Sequence, residues 1–224
     1  NLRNRYKIKA DDFVLTNISA MLANKGVETL IAAYGILKKK NKNLKLILKD
    51  QSNLYDKKAN EVVKKVLNSN FNKKYNIFSD EMYNDIIVIS KNLNFNELRD
   101  IYSITDCYVS PYLAEGFNLP PLEAAACGTQ IVVTNKGSTD DYFNKCMGFK
   151  IESEERKIED RYSLYPKLDS LIEILTNIIN KPDEKKIIRS KFVHENFSWE
   201  NVVKKLKKEF ENKLSKWNKK LWKR

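Results

Sequence analysis

The stretch Tyr112–Thr134, YLAEGFNLPPLEAAACGTQIVVT, decides how the rest of the chain is understood. Two carboxylates, Glu115 and Glu123, are separated by seven intervening residues, with a Gly-Phe-Asn turn after the first. Pro120 and Pro121 then open a short helix, because the first-turn N–H groups have no intrahelical partner and proline loses nothing there. Three alanines carry that helix to Cys127 and Gly128, a natural C-terminal stop. Ile131 to Val133 is a buried strand by composition. The unit is therefore loop with carboxylate, helix with carboxylate, strand. Helix N-termini attract anions, so the loop before Pro120 is a candidate phosphate site.

The same βα rhythm extends in both directions. Apolar or β-branched runs at Phe13–Ser19, Leu44–Leu48, Ile86–Ile89, Cys107–Pro111, Ile131–Thr134 and Gly148–Ile151 predict six strands. Helical spacing falls between them at about Val27–Lys40, Lys57–Leu67 and Phe95–Ser103, the last with Asn94 and Glu97 placed as a capping box. Asn68 to Asp85 is polar and irregular, which predicts a surface connection, and Ser138 is placed to cap a short helix toward Asn144. Strands alternating with helices predict an α/β, Rossmann-like parallel sheet covered on both faces. After a charged loop at 152–160 come helices near Leu168–Asn180 and Glu184–Glu195, separated by Pro182. The closing segment from Ser198 carries Val202, Leu206, Phe210, Leu214, Trp217 and Leu221 on one face of a Lys-rich helix.

The Glu-x7-Glu run in EGFNLPPLEAAACGTQIVVT closely resembles the signature of retaining glycosyltransferases of GT-B architecture, the glycosyl transferases group 1 type. The resemblance covers roughly residues 12 to 145, and FSWENVVKKL is similar to the family's closing helix. It implies a C-terminal, donor-binding half of a two-domain enzyme, with residues 1–11 as a linker, 12–197 as the nucleotide-sugar domain and 198–224 as a basic amphipathic helix. That helix would pack on the body or on a preceding, acceptor-binding domain for which this chain has no length. The implied chemistry is sugar transfer from a nucleoside-diphosphate donor, UDP- or GDP-linked, with retention and without a metal or other cofactor. The alternatives are a nucleotide-sugar-binding module without turnover, and a basic domain contacting nucleic acid or membrane.

By the same resemblance Glu115 lies near the transferring sugar and Glu123 accepts from the ribose hydroxyls, a task suited to the two oxygens of a carboxylate. Gly116, Phe117, Asn118 and Leu119 would offer backbone N–H groups to the diphosphate. The family's phosphate-binding lysine corresponds to Lys25, in the Lys25-Gly26 pair after the first strand. Many members carry an arginine a few residues earlier, where this chain has Ser19 and Ala20. Lys49, ending the second strand, is the candidate replacement, since parallel sheets bind ligands at the carboxyl ends of their strands. The base would lie over Ser90 to Leu93, with Leu93 as its contact.

Composition narrows the rest. A chain of 224 residues with 42% hydrophobic and 11% aromatic residues can bury a core. No run approaches the roughly 18 to 20 apolar residues of a membrane span. Cys107, Cys127 and Cys146 form neither CxxC nor an even framework, which predicts a reducing, cytoplasmic setting. One histidine, His194, beside scattered thiols makes no zinc site. A net charge of +12 invites an anionic partner, but the lysines are spread along the chain and no nucleic-acid motif accompanies them. Trp217 and Trp222 near the basic end would suit peripheral membrane contact. The acceptor, glycan, lipid or protein, is not legible.

Overall fold

A computed structural model describes residues 2–158, 160–181 and 183–221. Pro182 and Trp222 lie outside the described residues. In chain order the elements are α1 (Leu2–Arg5), β1 (Phe13–Ile18), α2 (Val27–Lys38), β2 (Leu44–Lys49), α3 (Ser52–Tyr55), α4 (Ala59–Leu67), α5 (Asn70–Tyr75), α6 (Asp80–Asn84), β3 (Ile86–Ile89), α7 (Phe95–Ser103), β4 (Cys107–Ser110), α8 (Leu119–Ala126), β5 (Gln130–Thr134), β6 (Gly148–Ile151), β7 (Ser153–Ile158), β8 (Arg161–Pro166), α9 (Leu168–Ile179), α10 (Lys186–Phe197) and α11 (Trp199–Leu221). Single 3-10 turns fill Ala23–Lys25 and Ser138–Asp141.

Six strands form one parallel sheet in the order β3-β2-β1-β4-β5-β6. This is the Rossmann order, and the chain reverses its direction of growth between β1 and β4. Alternate strand residues serve opposite layers, as period-2 geometry requires. Leu15, Leu46, Leu48, Val109 and Val132 face α2, α4 and α9. Val14, Ile18, Ile47, Tyr108, Ile131 and Val133 belong to the layer with α7, α8 and α10. Both faces are thus dry, and the strands are continuously apolar because of it.

Asp50 organises the far side of the sheet. It is fully buried, and its carboxylate accepts from the Ala59 N–H at 2.9 Å, the Ser90 hydroxyl at 2.7 Å and the Ser52 N–H at 3.2 Å. Burial alone would raise its pKa, but the Ala59, Ser90 and Ser52 donors outweigh that and hold the carboxyl below its ordinary value. At the opposite end of the sheet Arg189, with no exposed side-chain surface, donates to the Gly128 carbonyl at 2.6 Å, the Cys146 carbonyl at 3.2 Å and both oxygens of Asp183. One guanidinium therefore fastens α10 to the ends of α8 and β6.

Three expectations are corrected. Residues 68–85 are not an irregular connection: Asn72 is buried and its side chain bonds the Leu67 carbonyl and both backbone groups of Phe78. That fixes α5 and seats Phe78 in the core. The turn at 138–141 follows Gly137 and has no side-chain cap from Ser138. The charged stretch at 152–160 belongs mostly to a hairpin, β7 pairing antiparallel with β8. On α11, Leu206, Phe210 and Leu214 are exposed.

Asp50→Ala should destabilise the protein by about 1–3 kcal/mol, since it orphans buried donors. The sign for pH follows from a lowered folded pKa. The contribution is complete above the unfolded aspartate value of about 3.9 and fades as pH falls through the lower folded value. Denaturant melts of Asp50→Ala and wild type should therefore differ at neutral pH and converge in strong acid. Arg189→Met should lower the midpoint further, because it strands Asp183 and two carbonyls.

Candidate functional site

The site lies at the carboxyl ends of β1 and β4, beside the reversal point where open α/β sheets bind ligands. Two loops meet there. The first, 19–26, ends in the tight turn Ala23–Lys25 and then Gly26 at φ +65°, which starts α2. A Cβ at Gly26 would stand 1.8 Å from the Pro111 carbonyl oxygen. Glycine is required on both counts, conformation and space. This close approach presses the first loop against the second, 111–118.

Polar groups then lace the two together. Leu113 N–H donates to the Asn24 carbonyl at 2.8 Å, and Asn24 Nδ2 donates back to the Ala114 carbonyl at 2.9 Å. Lys25 Nζ reaches Glu115 Oε1 at 2.6 Å, with both side chains more than four-fifths buried. The structure thus brings Lys25, Gly26 and Glu115 into one contact. Asn24 is the member that sequence inspection missed; its signal was adjacency to Lys25.

The start of α8 is an open donor site. Asn118 is its N-cap in the left-handed region, φ 64° and ψ 68°, and its side chain does not cap the helix. Instead Asn118 Nδ2 donates to Ser110 Oγ at 3.0 Å and its carbonyl accepts from the Tyr142 hydroxyl at 2.7 Å. Among the described residues no protein acceptor takes the N–H groups of Gly116, Phe117 or Asn118. Leu119 opens the helix, and the two prolines behind it have no N–H. Unpartnered N–H groups at the positive end of a helix form an anion cradle. Gly116 has nothing within 4 Å of where a Cβ would be, so the cradle is open on that side. Phe117 and Leu119 are 43% and 55% exposed, and Phe117 stacks on Tyr142 with centroids 5.1 Å apart.

Glu123 sits one turn into α8. Its Oε2 accepts from the Tyr102 hydroxyl at 2.8 Å, and no other hydrogen bond reaches it among the described residues. Burial first, then Tyr108 and the Glu123 charge, push the Tyr102 phenol far above its ordinary pKa, so it stays a donor. Tyr102 orients the carboxylate and leaves Oε1 for another donor. Nothing in the local sequence announces that pairing, since 21 residues separate the two.

Lys49 is in register with Ile18 of β1 and Ile89 of β3. It is 7% exposed rather than a surface cation. Its ammonium donates to the Asp50 carbonyl, and no carboxylate lies within ion-pair distance among the described residues. Burial pulls its pKa below the usual lysine value, with Asp50 opposing. The Ser19 N–H donates to the Lys49 carbonyl at 3.1 Å, so Lys49 does adjoin the first loop. Leu93 is half-buried beyond β3, packed on the α7–α8 layer. The structure places no direct contact between Lys49 or Leu93 and the Lys25–Glu115 pair.

No group of three or more His, Cys, Asp or Glu side chains is arranged to hold a metal among the described residues. Lysines, backbone N–H groups and carboxylates are the functional chemistry present.

The fold recurs in solved glycosyltransferases. A Rickettsia africae glycosyltransferase matches with a TM-score of 0.68 at 16% identity, over 95% of this chain and 51% of that one. Sucrose-phosphate synthase from Thermosynechococcus elongatus matches at 0.70 and 18%, over 95% and 48%. Anabaena HepE, solved with UDP and glucose, matches at 0.67 and 16%, over 94% and 51%. The chain thus spans about half the length of these structures. The O-antigen chain mannosyltransferase RfbU of Salmonella typhimurium is 37% identical over 51 residues, 23% of this chain and 14% of that protein. The sequence profile of "Glycosyl transferases group 1" matches residues 1–161, and the chain belongs to that family.

Proposed function

We propose that this chain binds a nucleoside-diphosphate sugar across the ends of β1 and β4, and that the protein containing it transfers the sugar with retention of configuration and without a metal. The observation that carries this reading is the Lys25–Glu115 pair beside the open N-terminus of α8. A departing diphosphate needs positive charge in a partly dry site. Lys25 and the Gly116–Leu119 amides supply it here. Lys49 is the second cation of the proposal: its buried ammonium has no carboxylate partner among the described residues, and its backbone carbonyl accepts from the Ser19 N–H in the loop that lacks the family's arginine.

In this reading the ribose hydroxyls donate to Glu123, whose free oxygen faces away from its bond to Tyr102, and the base rests over Ser90–Leu93. The sugar's anomeric carbon lies by Glu115. As the acceptor oxygen bonds to that carbon, the bond to the phosphate oxygen breaks, and the acceptor's proton passes to the departing phosphate. Glu115 is already engaged by Lys25 and stabilises the positive charge that develops on the ring. The acceptor, whether glycan, lipid or protein, is addressed jointly with a preceding domain. The exposed apolar residues of α11 among its lysines support contact with that domain or with a membrane surface; among the described residues no helix is long and apolar enough to cross a membrane. The free cysteines support a reducing, cytoplasmic setting.

The test begins with thermal shifts against UDP, GDP, ADP, UDP-glucose and GDP-mannose, the last chosen because RfbU is named a mannosyltransferase. A true donor nucleotide at a hundredfold excess over its Kd should stabilise by about 2.7 kcal/mol. Glu123→Ala should cut nucleotide affinity at least tenfold. Glu115→Ala should leave most nucleotide affinity but lower donor turnover, read as nucleoside diphosphate released, by about a hundredfold. Lys25→Ala should lower both. Unchanged shifts and turnover in all three variants would refute the assignment.

A further inference from the structure

Backbone amides receive a phosphate well only if their directions are fixed before it arrives. The stretch from Gly116 to Leu119 has little of its own to fix them. Gly116, Phe117 and Leu119 are exposed, and open space surrounds Gly116 where a Cβ would stand. Restraint comes instead from Tyr142, reached through the turn that follows β5. Tyr142 is 3% exposed; its ring lies against Phe117 and stands edge-on to Phe197 with centroids 6.3 Å apart. Phe197 is edge-on in turn to Phe192. The ring is thus gripped between the loop and the end of α10, and its hydroxyl donates to the Asn118 carbonyl at 2.7 Å. Burial first, then Tyr112, Tyr108 and Glu115, raises the phenol's pKa, so the donor keeps its proton.

That one bond sets the direction of an amide. A peptide unit is planar and trans, so its carbonyl and its N–H point opposite ways. The Asn118 carbonyl shares its peptide with the Leu119 N–H. Drawn toward Tyr142, the carbonyl turns that N–H to the other side, where no protein acceptor takes it among the described residues. Asn118 itself is left-handed, a conformation that a residue other than glycine keeps only when its surroundings over-determine it. Two bonds do so. Tyr142 holds the carbonyl, and the buried Ser110 at the end of β4 accepts from the side chain at 3.0 Å. With φ and ψ of Asn118 fixed, the peptides on both sides of it are fixed, and with them the Asn118 and Leu119 N–H groups. Both partners act through Asn118 and need no contact with a ligand.

We infer that Tyr142 is the positioning residue of the diphosphate cradle: through its bond to the Asn118 carbonyl it holds the amides at the start of α8 toward the ligand. The inference rests on the donor reading above. Titration calorimetry of wild type and Tyr142→Phe with UDP and UMP, and with GDP and GMP, tests it. The variant keeps the ring and removes the bond. Wild type should bind the diphosphate of the preferred base more tightly than its monophosphate. In Tyr142→Phe that advantage should shrink by about fivefold or more, with monophosphate affinity little changed. A merely structural role would weaken both nucleotides by the same factor, so an unchanged ratio overturns the inference. Ser110→Ala, which frees the side chain of Asn118, should reduce the same advantage, and it decides the matter in the same way if Tyr142→Phe does not fold. Equal binding of diphosphate and monophosphate by wild type overturns the inference and leaves a nucleotide site standing. Absence of binding by wild type to all four nucleotides overturns the donor reading and the inference with it.

Discussion

The close approach of Gly26 to the Pro111 carbonyl is the constraint on which the site depends. At the reversal point of a parallel sheet two neighbouring strands send their chains to opposite faces, which opens a crevice between the loops. Here the crevice is narrowed to van der Waals contact at one place. Only a residue without a Cβ, in a left-handed conformation, lets the first loop lie that near. The polar contacts between the two loops follow from the distance so set. Asn24 comes within reach of Leu113 and Ala114, and Lys25 within reach of Glu115. A bulkier residue at position 26 would separate charges that come from chain positions 90 residues apart.

Charge and shape divide the labour. The Lys25–Glu115 pair is shielded from solvent yet accessible at one edge, so each charge is strengthened by its surroundings without being locked away. Backbone amides at the start of α8 add fixed dipoles that need no reorganisation when a ligand arrives. Glu123 is turned by Tyr102, itself anchored in the core and edge-on to Tyr108. The orientation of this carboxylate is thus inherited from packing beneath the sheet's end, and does not rely on a flexible loop.

Much of this was legible in the residues. Six apolar strand runs, the Asn94–Glu97 capping box and the proline-started helix at 119 are local patterns, and local patterns are what a sequence displays directly. Glu115 and Glu123 stood out because a long motif surrounds them, and Lys25 and Gly26 because they form a Lys-Gly pair after the first strand. What escaped was set by tertiary partners. Asn72 seems an ordinary surface polar residue in NFNKKY until Phe78 is seen to need both its backbone groups bonded. Lys49 ends the second strand by its sequence, but only the register of β2 shows that it is buried between Ile18 and Ile89. The hairpin was hidden because seven of the nine residues 152–160 are charged, a composition that suggests a solvated loop. Its strands are held by pairing with each other and by bonds to Leu113 and Asn135, none of which leaves an apolar run to notice.

The Arg189 clamp bears on how the protein is made. All the side chains of the proposed donor site have been translated by residue 142, yet the Gly128 and Cys146 carbonyls at the base of the sheet have no guanidinium until residue 189 leaves the ribosome. The layer covering α8 arrives with the same helix, through Ser190 and Val193. A nascent chain therefore holds every residue of the proposed donor site on a sheet whose underside is still bare. Chaperone occupancy during synthesis should end when α10 emerges, well after the last donor-site residue has been added.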